Sequence, residues 1–211
     1  MSKIQDIQLQ QKILSHTRQK VIALFKQTPV PGHGIDHTTR VVNWVKIIAK
    51  GEKAKNPFLC ELSAWFHDIG RTIEDNPGET SRKHHELSYQ MLRKWFTIDQ
   101  LLVQLTKLEK LELLYTVRYH WNNEANKYDT AWILRDADKM DGFGAVGLRR
   151  AKEVFAGNED GWNQNFRNQV DCFVSVRTKT AKRLIEKNKM MEPIEREYKK
   201  FLRSKIERVE L

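Results

Sequence analysis

Apolar residues recur at intervals of three and four along nearly the whole chain, and segments in which they alternate with polar residues are scarce. Intervals of three and four place side chains on one face of an α-helix, whereas strict alternation would indicate a half-buried strand. The sequence therefore predicts an all-α fold, a bundle of helices whose apolar faces share one core.

Residues that start or stop helices set the predicted boundaries. The segment from Thr28 to Gly34 contains two prolines and two glycines, which are poor helix continuers. Asn56-Pro57 opens a helix, and Ser81 is suited to cap another. Two helices are predicted from Ile4 to Lys26 and from Asp36 or His37 to Gly51, and a third from about Ile98 to Tyr119, for which an interruption is left open. Further helices begin at Asn56-Pro57, at Ser81 and at Asp129 or Thr130, and a long basic helical segment begins at about Asn163.

Composition limits the domain organisation. The chain has 211 residues, of which 40% are hydrophobic and 30% are charged, which suffices for one core with a small helical appendage. We expect a helical domain over residues 1–157 and a basic helical C-terminal extension over 158–211, packed on the same core. The net charge of +10 attracts polyanions such as nucleotides, nucleic acid or anionic lipid without choosing among them.

Cysteine usage and the absence of long apolar segments bear on location. Cys60 and Cys172 form no CxxC motif, so a disulfide framework is not expected and a reducing compartment is favoured. The N-terminal residues lack the apolar core and cleavage site of a signal peptide. No stretch reaches the roughly 18 apolar residues of a membrane helix. We therefore expect a cytoplasmic protein without membrane association.

Four side chains able to bind metal stand where core helices should present apolar residues, namely His37, His67, Asp68 and Asp138. His37 precedes Val41 by four residues, so it lies on the buried stripe of its helix. An ionised carboxylate is costly to bury unless it is paired or coordinates a metal. Two imidazoles and two carboxylates suit a borderline divalent ion such as Mn, Fe, Co, Ni or Zn, with Mg as a further candidate.

Three stretches carry a family resemblance: HGIDHTTRVV from His33, LSAWFHDIG from Leu62 and LRDADKMDGFGAVG from Leu134. Their order resembles the HD superfamily of phosphohydrolases, in which a histidine on one helix is followed by a His-Asp pair and a distant aspartate. The resemblance implies an HD-type helical bundle, a divalent metal held by the four residues named above, and Asp68 as the catalytic residue that orients water. It extends to about Gly147.

The run DADKMD leaves a choice among three carboxylates. Asp136 is two residues from Asp138, about 200° around a helix, so the two are not expected to share a site. Asp138 matches the family's A-D position and is preferred. Asp141, one turn further, is expected to touch a bound water or the substrate. The glycines from Gly142 to Gly147 spell GxGxxG, but they follow an amphipathic helix rather than a strand, so they indicate close helix packing or a helix end beside the metal site.

Additional residues extend the site. The HHELS element that begins at His84 resembles an element of HD proteins. In two-metal members of the superfamily, histidines at positions comparable to His84 and His120 ligate a second ion or bind phosphate. Ile69-Gly70-Arg71-Thr72 follows the His-Asp pair where some relatives carry an assisting acid, which argues against such an acid and against an alarmone substrate. Basic residues near the ligands that could bind phosphate are Arg40, Arg71, Arg82, Lys83 and Lys139.

The leading hypothesis is an enzyme that releases phosphate or pyrophosphate from a small phosphorylated molecule, with a nucleotide as the expected substrate. One alternative is a phosphodiesterase with two metals. A second is a non-catalytic module that binds RNA or an acidic protein through basic residues between Arg177 and Lys189. Aromatic residues for base stacking are absent from that stretch, which weakens nucleic acid as a partner.

Overall fold

The computed structural model describes residues 3–74 and 83–209, and the side chains of 6–74 and 83–204. This part of the chain contains ten α-helices, two short 3₁₀ helices and no strand, so the all-α prediction is confirmed. None of its helices is long and apolar enough to cross a membrane. The α-helices are α1 (Lys3–Gln27), α2 (Ile35–Gly51), α3 (Pro57–Phe66), α4 (His84–Ile98), α5 (Lys107–Tyr119), α6 (Asp129–Asp141), α7 (Gly144–Val154), α8 (Glu159–Val174), α9 (Lys179–Lys187) and α10 (Glu192–Val209).

Local capping explains several of these boundaries. The Asn56 side chain accepts a hydrogen bond from Leu59 N at 3.2 Å, and Pro57 occupies the first turn of α3, where its missing N–H costs nothing. Thr106 and Glu109 form a reciprocal capping box at the start of α5. The predicted cap Ser81 lies outside the described residues, and α4 begins at His84.

The interruption left open in one predicted helix is present. The helix expected from about Ile98 to Tyr119 is divided, because α4 ends at Ile98 and a 3₁₀ helix at Leu102–Gln104 precedes α5. Asp99 causes the break: its buried carboxylate accepts hydrogen bonds from Leu101 N and Leu102 N, both at 3.1 Å. An aspartate that bonds to the following backbone N–H groups favours a turn over a continuous helix.

The core forms where α2, α3 and α6 pack against one another. Val41 and Val45 on α2 and Leu134 on α6 are fully buried, as the helical spacing predicted. Burying each such side chain stabilises the fold by about 1.5–3 kcal/mol. Because these helices also carry the candidate ligands, core packing fixes the positions of the ligands.

The C-terminal helices pack on this core: α9 contacts α2 and α6, and α10 contacts α7. Asp136 is one anchor, since its buried Oδ2 accepts hydrogen bonds from Arg177 N at 2.9 Å and Thr178 N at 2.6 Å. Asp136 therefore ties α6 to the start of α9. The division of the chain into residues 1–157 and 158–211 stays a prediction.

The Asp136 anchor predicts a stability change. Asp136→Ala leaves the backbone N–H groups of Arg177 and Thr178 without their acceptor, so we expect the free energy of unfolding to fall by about 2 kcal/mol. Urea unfolding followed by circular dichroism measures this change. Asp171→Ala, which removes an exposed carboxylate from α8, is the control and should change the free energy by less than about 0.5 kcal/mol. Equal losses in the two variants would contradict the anchoring role.

Candidate metal centre

The four sequence-predicted ligands come together where α2, α3 and α6 meet. His37 is in the first turn of α2, His67 directly follows α3, and Asp138 lies near the end of α6. The Nε2 atoms of His37 and His67 are 3.2 Å apart, and Asp138 Oδ1 lies 3.3 Å from the first and 3.9 Å from the second. Asp68 Oδ2 lies 3.6 and 3.7 Å from the same two nitrogens.

Both imidazoles are oriented with Nε2 toward this cluster. His67 Nδ1 lies 2.8 Å from Ala64 O, and His37 Nδ1 lies 2.7 Å from Asp141 Oδ2. When each Nδ1 donates to its acceptor, the Nε2 atom of each neutral ring carries a lone pair that faces the cluster. Metal–nitrogen bonds of about 2.0–2.1 Å in octahedral or tetrahedral geometry would separate neighbouring donors by about 2.8–3.4 Å. The donor set therefore fits a single divalent cation.

The charges in the cluster also favour a bound cation. Burial alone would lower the pKa of His37, but hydrogen bonds to Asp138 and Asp141 and the charge of Asp68 raise it to about 9. Burial alone would raise the pKa of Asp138, whereas the hydrogen bond to His37 and the charge of His67 hold it below its ordinary range. The carboxylates thus require a positive charge, supplied here by a proton on His37, which a cation can replace.

Asp141 lies behind His37, away from the cluster. The sequence led us to expect contact with water or substrate, but this buried carboxylate faces the Nδ1 side of the imidazole. Arg40 donates to it through Nε at 2.6 Å and through Nη2 at 3.0 Å, and Arg150 donates to Oδ2. A carboxylate on the outer ring nitrogen of a ligating histidine fixes the tautomer and orientation of that ring.

Asp68 connects this cluster to a second one. Its buried side chain directs Oδ2 toward His37 and His67, while Oδ1 lies 3.5 Å from His84 Nε2. Burial would raise the pKa of Asp68, but the charge of His67 and a hydrogen bond from His33 hold it well below the usual value. An ionised carboxylate with one oxygen toward each cluster has the arrangement of a bridging ligand.

His84 and His120 complete the second cluster with Asp68, because one donor atom from each lies within 4.8 Å of the others. His120 Nδ1 lies 2.7 Å from Val117 O, so its Nε2 is available to a cation. Burial is the main cause that lowers the pKa of His84 to about 3, although Asp68 raises it. His84 is therefore neutral at pH 7, as a metal ligand must be.

Ser88 holds the His-Asp turn in place. This buried hydroxyl donates to His67 O and accepts from Gly70 N, both at 2.8 Å. A Cβ at Gly70 would lie 2.2 Å from His84 O, so only glycine lets α4 approach so closely. The small residue four positions after His84 in the HHELS element thus has a structural reason.

Sequence reasoning missed His33 and Glu74. His33 precedes α2, and its Nδ1 lies 3.1 Å from Asp68 Oδ2, within reach of a cation that binds His37 and Asp68. Its place in the HGIDH stretch, close in sequence to His37, was the available signal. Glu74 has a nearly inaccessible side chain that accepts from Arg71 at 3.0 Å and from His84 N at 3.0 Å. This acid therefore supports the second cluster from its periphery.

The basic residues expected to bind phosphate have protein partners. Arg40 binds Asp141, Arg71 binds Glu74, and Lys139 Nζ donates to Asn123 Oδ1 at 2.6 Å and Ser175 Oγ at 2.7 Å. Arg71 also places Nε 3.8 Å from Asp68 Oδ1, which keeps its guanidinium beside the second cluster. Lys83 is exposed before α4. Arg82 lies outside the described residues.

The GxGxxG stretch lies at a helix junction, as predicted. Gly142 follows α6, and α7 begins at Gly144 with a φ of +71°. A Cβ at Gly147 would lie 1.9 Å from Gly142 O, so the absence of a side chain allows the two backbones to touch. These glycines serve a close packing contact next to the metal cluster.

Two cavities border the cluster. One of about 200 Å³ includes His37 and Asp138 in its wall, and one of about 460 Å³ lies on the Arg40 side of His37. Asp138 is one-third exposed, whereas His37, His67 and Asp68 are almost inaccessible. A ligand therefore reaches the cluster from the Asp138 side.

A family model described as HD domain matches residues 34–142, which is more than half of the chain. The chain therefore belongs to the HD domain family, as its motifs suggested. The matched range includes all six residues of the two clusters predicted from the sequence, and His33 lies just before it. No curated protein matches the chain.

Solved structures share the fold over nearly their whole length. A predicted HD superfamily hydrolase from an uncultured Thermotogales bacterium is 24% identical, with a TM-score of 0.64 over 90% of this chain and 91% of that one. Bacillus subtilis YpgQ in complex with ADP is 22% identical, with a TM-score of 0.65 over 91% and 96%. An HD-superfamily hydrolase from Bacillus thuringiensis is 19% identical, with a TM-score of 0.67 over 90% and 97%. At these identities the likeness establishes the fold.

The proton on His37 predicts how metal binding depends on pH. Below a pKa of about 9 the metal-free imidazole is protonated, so a binding cation must displace that proton. We expect the apparent affinity for Mn²⁺ to rise about tenfold per pH unit between pH 7 and 8.5, with about one proton released per ion. Calorimetry in buffers of different ionisation enthalpy measures the release. An affinity that is constant over this range, with no proton release, would contradict the raised pKa of His37.

Proposed function

We propose that this protein is a metal-dependent phosphohydrolase that acts on a nucleotide. The observation that carries the proposal is the cluster of His37, His67, Asp68 and Asp138, with two imidazole Nε2 atoms 3.2 Å apart beside two carboxylates. A divalent ion held there would lower the pKa of a water and polarise a phosphoryl oxygen. The borderline donor set favours Mn, Fe, Co, Ni or Zn, with Mg as a weaker candidate.

Each side chain has a separate task in this proposal. Asp138 and the two imidazoles hold the cation, and Asp141 keeps His37 in the tautomer that binds it. Asp68 is proposed as the catalytic residue, because its second oxygen remains available to orient a water or to accept a proton from it. Arg71 lies beside Asp68 and is suited to neutralise the charge of a bound phosphate.

Two observations support a nucleotide as the substrate. YpgQ, which shares the fold over nearly its whole length, was solved with ADP bound. The net charge of +10 attracts polyphosphates to the protein. A cytoplasmic location, where nucleotides are abundant, remains part of the proposal.

A metal-dependent screen tests the proposal. Metal-free protein is incubated with nucleoside mono-, di- and triphosphates while Mn²⁺, Co²⁺, Ni²⁺, Zn²⁺ and Mg²⁺ are added in turn, and released phosphate and pyrophosphate are measured. We expect turnover with at least one of the transition metals. Asp68→Asn should lower kcat by about a hundredfold or more, because it weakens the cation site and removes the proton acceptor.

The controls separate loss of catalysis from loss of folding. Asp160→Asn removes an exposed carboxylate from α8 and should leave kcat unchanged. Circular dichroism should be the same for both variants. The proposal fails if no metal supports turnover, or if Asp68→Asn protein retains the activity of the unmodified chain.

The cluster of Asp68, His84 and His120 favours a second candidate, a two-metal phosphodiesterase. On this hypothesis His84→Ala and His120→Ala each lower the bound metal from two ions per chain to one and lower diesterase activity. Metal content by mass spectrometry after gel filtration measures this change. His16→Ala, distant from both clusters, is the control. One ion per chain in the unmodified protein and in both variants would exclude the second candidate.

Binding without catalysis is the remaining alternative. Basic residues between Arg177 and Lys189 offer a surface to RNA or to an acidic protein, but Arg177 is already placed over the Trp132 ring and faces Asn123 O. Salt-dependent RNA binding without nucleotide turnover would favour this alternative over the proposed enzyme.

A further inference from the structure

The cavity beside the metal cluster continues away from it into an inner cavity. The first, of about 200 Å³, has His37 and Asp138 in its wall, and the second, of about 180 Å³, does not border either ligand. His33, Gly142, Arg150 and Gln169 line both cavities, so the two adjoin. A substrate with a phosphate at the cluster would therefore extend its remaining part into the inner cavity.

Two amide side chains face this space without protein partners. Asn165 is buried and lines the inner cavity, and Gln169 lies one turn further along α8 at the junction of both cavities. Among the described residues, neither side-chain amide has a hydrogen-bond partner, whereas Gln164 and Asn168 on the same helix bond to each other at 2.8 Å. Asn165 is buried and Gln169 is half-buried. A buried amide usually has a partner, so the unpartnered Asn165, with Gln169 beside it, points to a polar ligand.

Gln169 is close to the helix that carries Asp138. A Cβ at Gly142, the residue that follows α6, would lie 3.5 Å from Gln169 Nε2 and 3.7 Å from Gln169 Oε1. The missing side chain at Gly142 therefore leaves space directly in front of the Gln169 amide, four residues after the candidate ligand.

The other walls of the inner cavity are mainly apolar. Ala151, Val154 and Phe155 come from the end of α7, and a Cβ at Gly32 would lie 3.6 Å from Val154 Cγ2. Among the residues that the structure describes, Asp138 is the one acidic residue in the wall of the first cavity, and the inner cavity has none. His33 and Arg150 add an imidazole and a cation on the side shared with the first cavity. Apolar surface on one side and two amides on the other suit a flat ring that has donors and acceptors on its edge.

We propose that the inner cavity binds the base of a nucleotide, and that Gln169 and Asn165 determine which base is preferred. This inference rests on the proposed function, because it takes a phosphate at the metal cluster as the fixed end of the ligand. Each amide offers both a donor and an acceptor, so together they distinguish bases by the pattern on the edge. Helices α7 and α8, outside the matched HD range, would thus provide specificity for the metal centre within that range.

Binding measurements test the inference without turnover. The α,β-methylene analogues of ADP, GDP, CDP and UDP are titrated into Mn²⁺-loaded protein by calorimetry. We expect the best and worst base to differ in Kd by about tenfold or more, which corresponds to one or two neutral hydrogen bonds. Gln169→Leu keeps the size of the side chain but removes its donor and acceptor, so it should reduce the difference to about twofold or less.

Matched controls make the result specific. Gln164→Leu is the same substitution on the same helix, at an exposed position outside both cavities, and should retain the base preference of the unmodified chain. Inorganic pyrophosphate should bind the Gln169→Leu variant with unchanged Kd, which shows that the metal centre is intact.

The outcomes separate this inference from the proposed function. Equal Kd values for all four analogues in the unmodified protein would overturn it, as would a base preference that survives Gln169→Leu. Base-dependent binding that Gln169→Leu abolishes, in a protein that hydrolyses no nucleotide, would retain the inference and refute the proposed enzyme. Hydrolysis of all four nucleotides with equal kcat/KM in both proteins would retain the enzyme and refute the inference.

Discussion

The architecture of this protein depends on two imidazoles, whose Nε2 atoms lie 3.2 Å apart, and two carboxylates whose oxygens lie 3.3–3.9 Å from these nitrogens, at the junction of three core helices. In such a place ionised carboxylates are stable only beside a positive charge. In the metal-free protein a proton on His37 provides that charge, since its pKa is raised to about 9 by Asp138 and Asp141. The apolar contacts among α2, α3 and α6 bring the four side chains together, so core packing and the cation site support each other.

The three carboxylates of the DADKMD run illustrate how one helix serves several purposes. Asp136 points to the start of α9, and Asp138 faces the metal cluster. Asp141 lies one turn further and contacts the same imidazole as Asp138, but on the other ring nitrogen. His37 is thus held between two carboxylates of α6, three residues apart, and only the inner one is available to a cation.

Helical spacing predicted much of this arrangement and could not predict the rest. It placed His37 and Asp138 on buried faces and separated Asp136 from Asp138, because those relations are fixed within one helix. It placed Asp141 on the same side of α6 as Asp138 but could not show that the His37 imidazole lies between the two carboxylates. His33 was missed because it precedes its helix, where no periodicity constrains a side chain. Asp99 divided a predicted helix because side-chain bonds to the backbone outweighed the apolar pattern.

The two adjoining cavities beside the cluster could not be predicted from the sequence, for a related reason. Its walls come from the loop before α2, the end of α6, α7 and α8, so its shape depends on how distant segments meet. Gly142 and Gly147 were recognised as packing residues, yet the space that Gly142 leaves in front of Gln169 exists only once α8 lies across α6. The candidate ligands lie on core helices or directly after one, whereas the residues proposed to select a substrate are brought to them by the C-terminal helices. On the proposed function, substitutions in α7 and α8 would change the preferred substrate while the cluster of four candidate ligands stays the same.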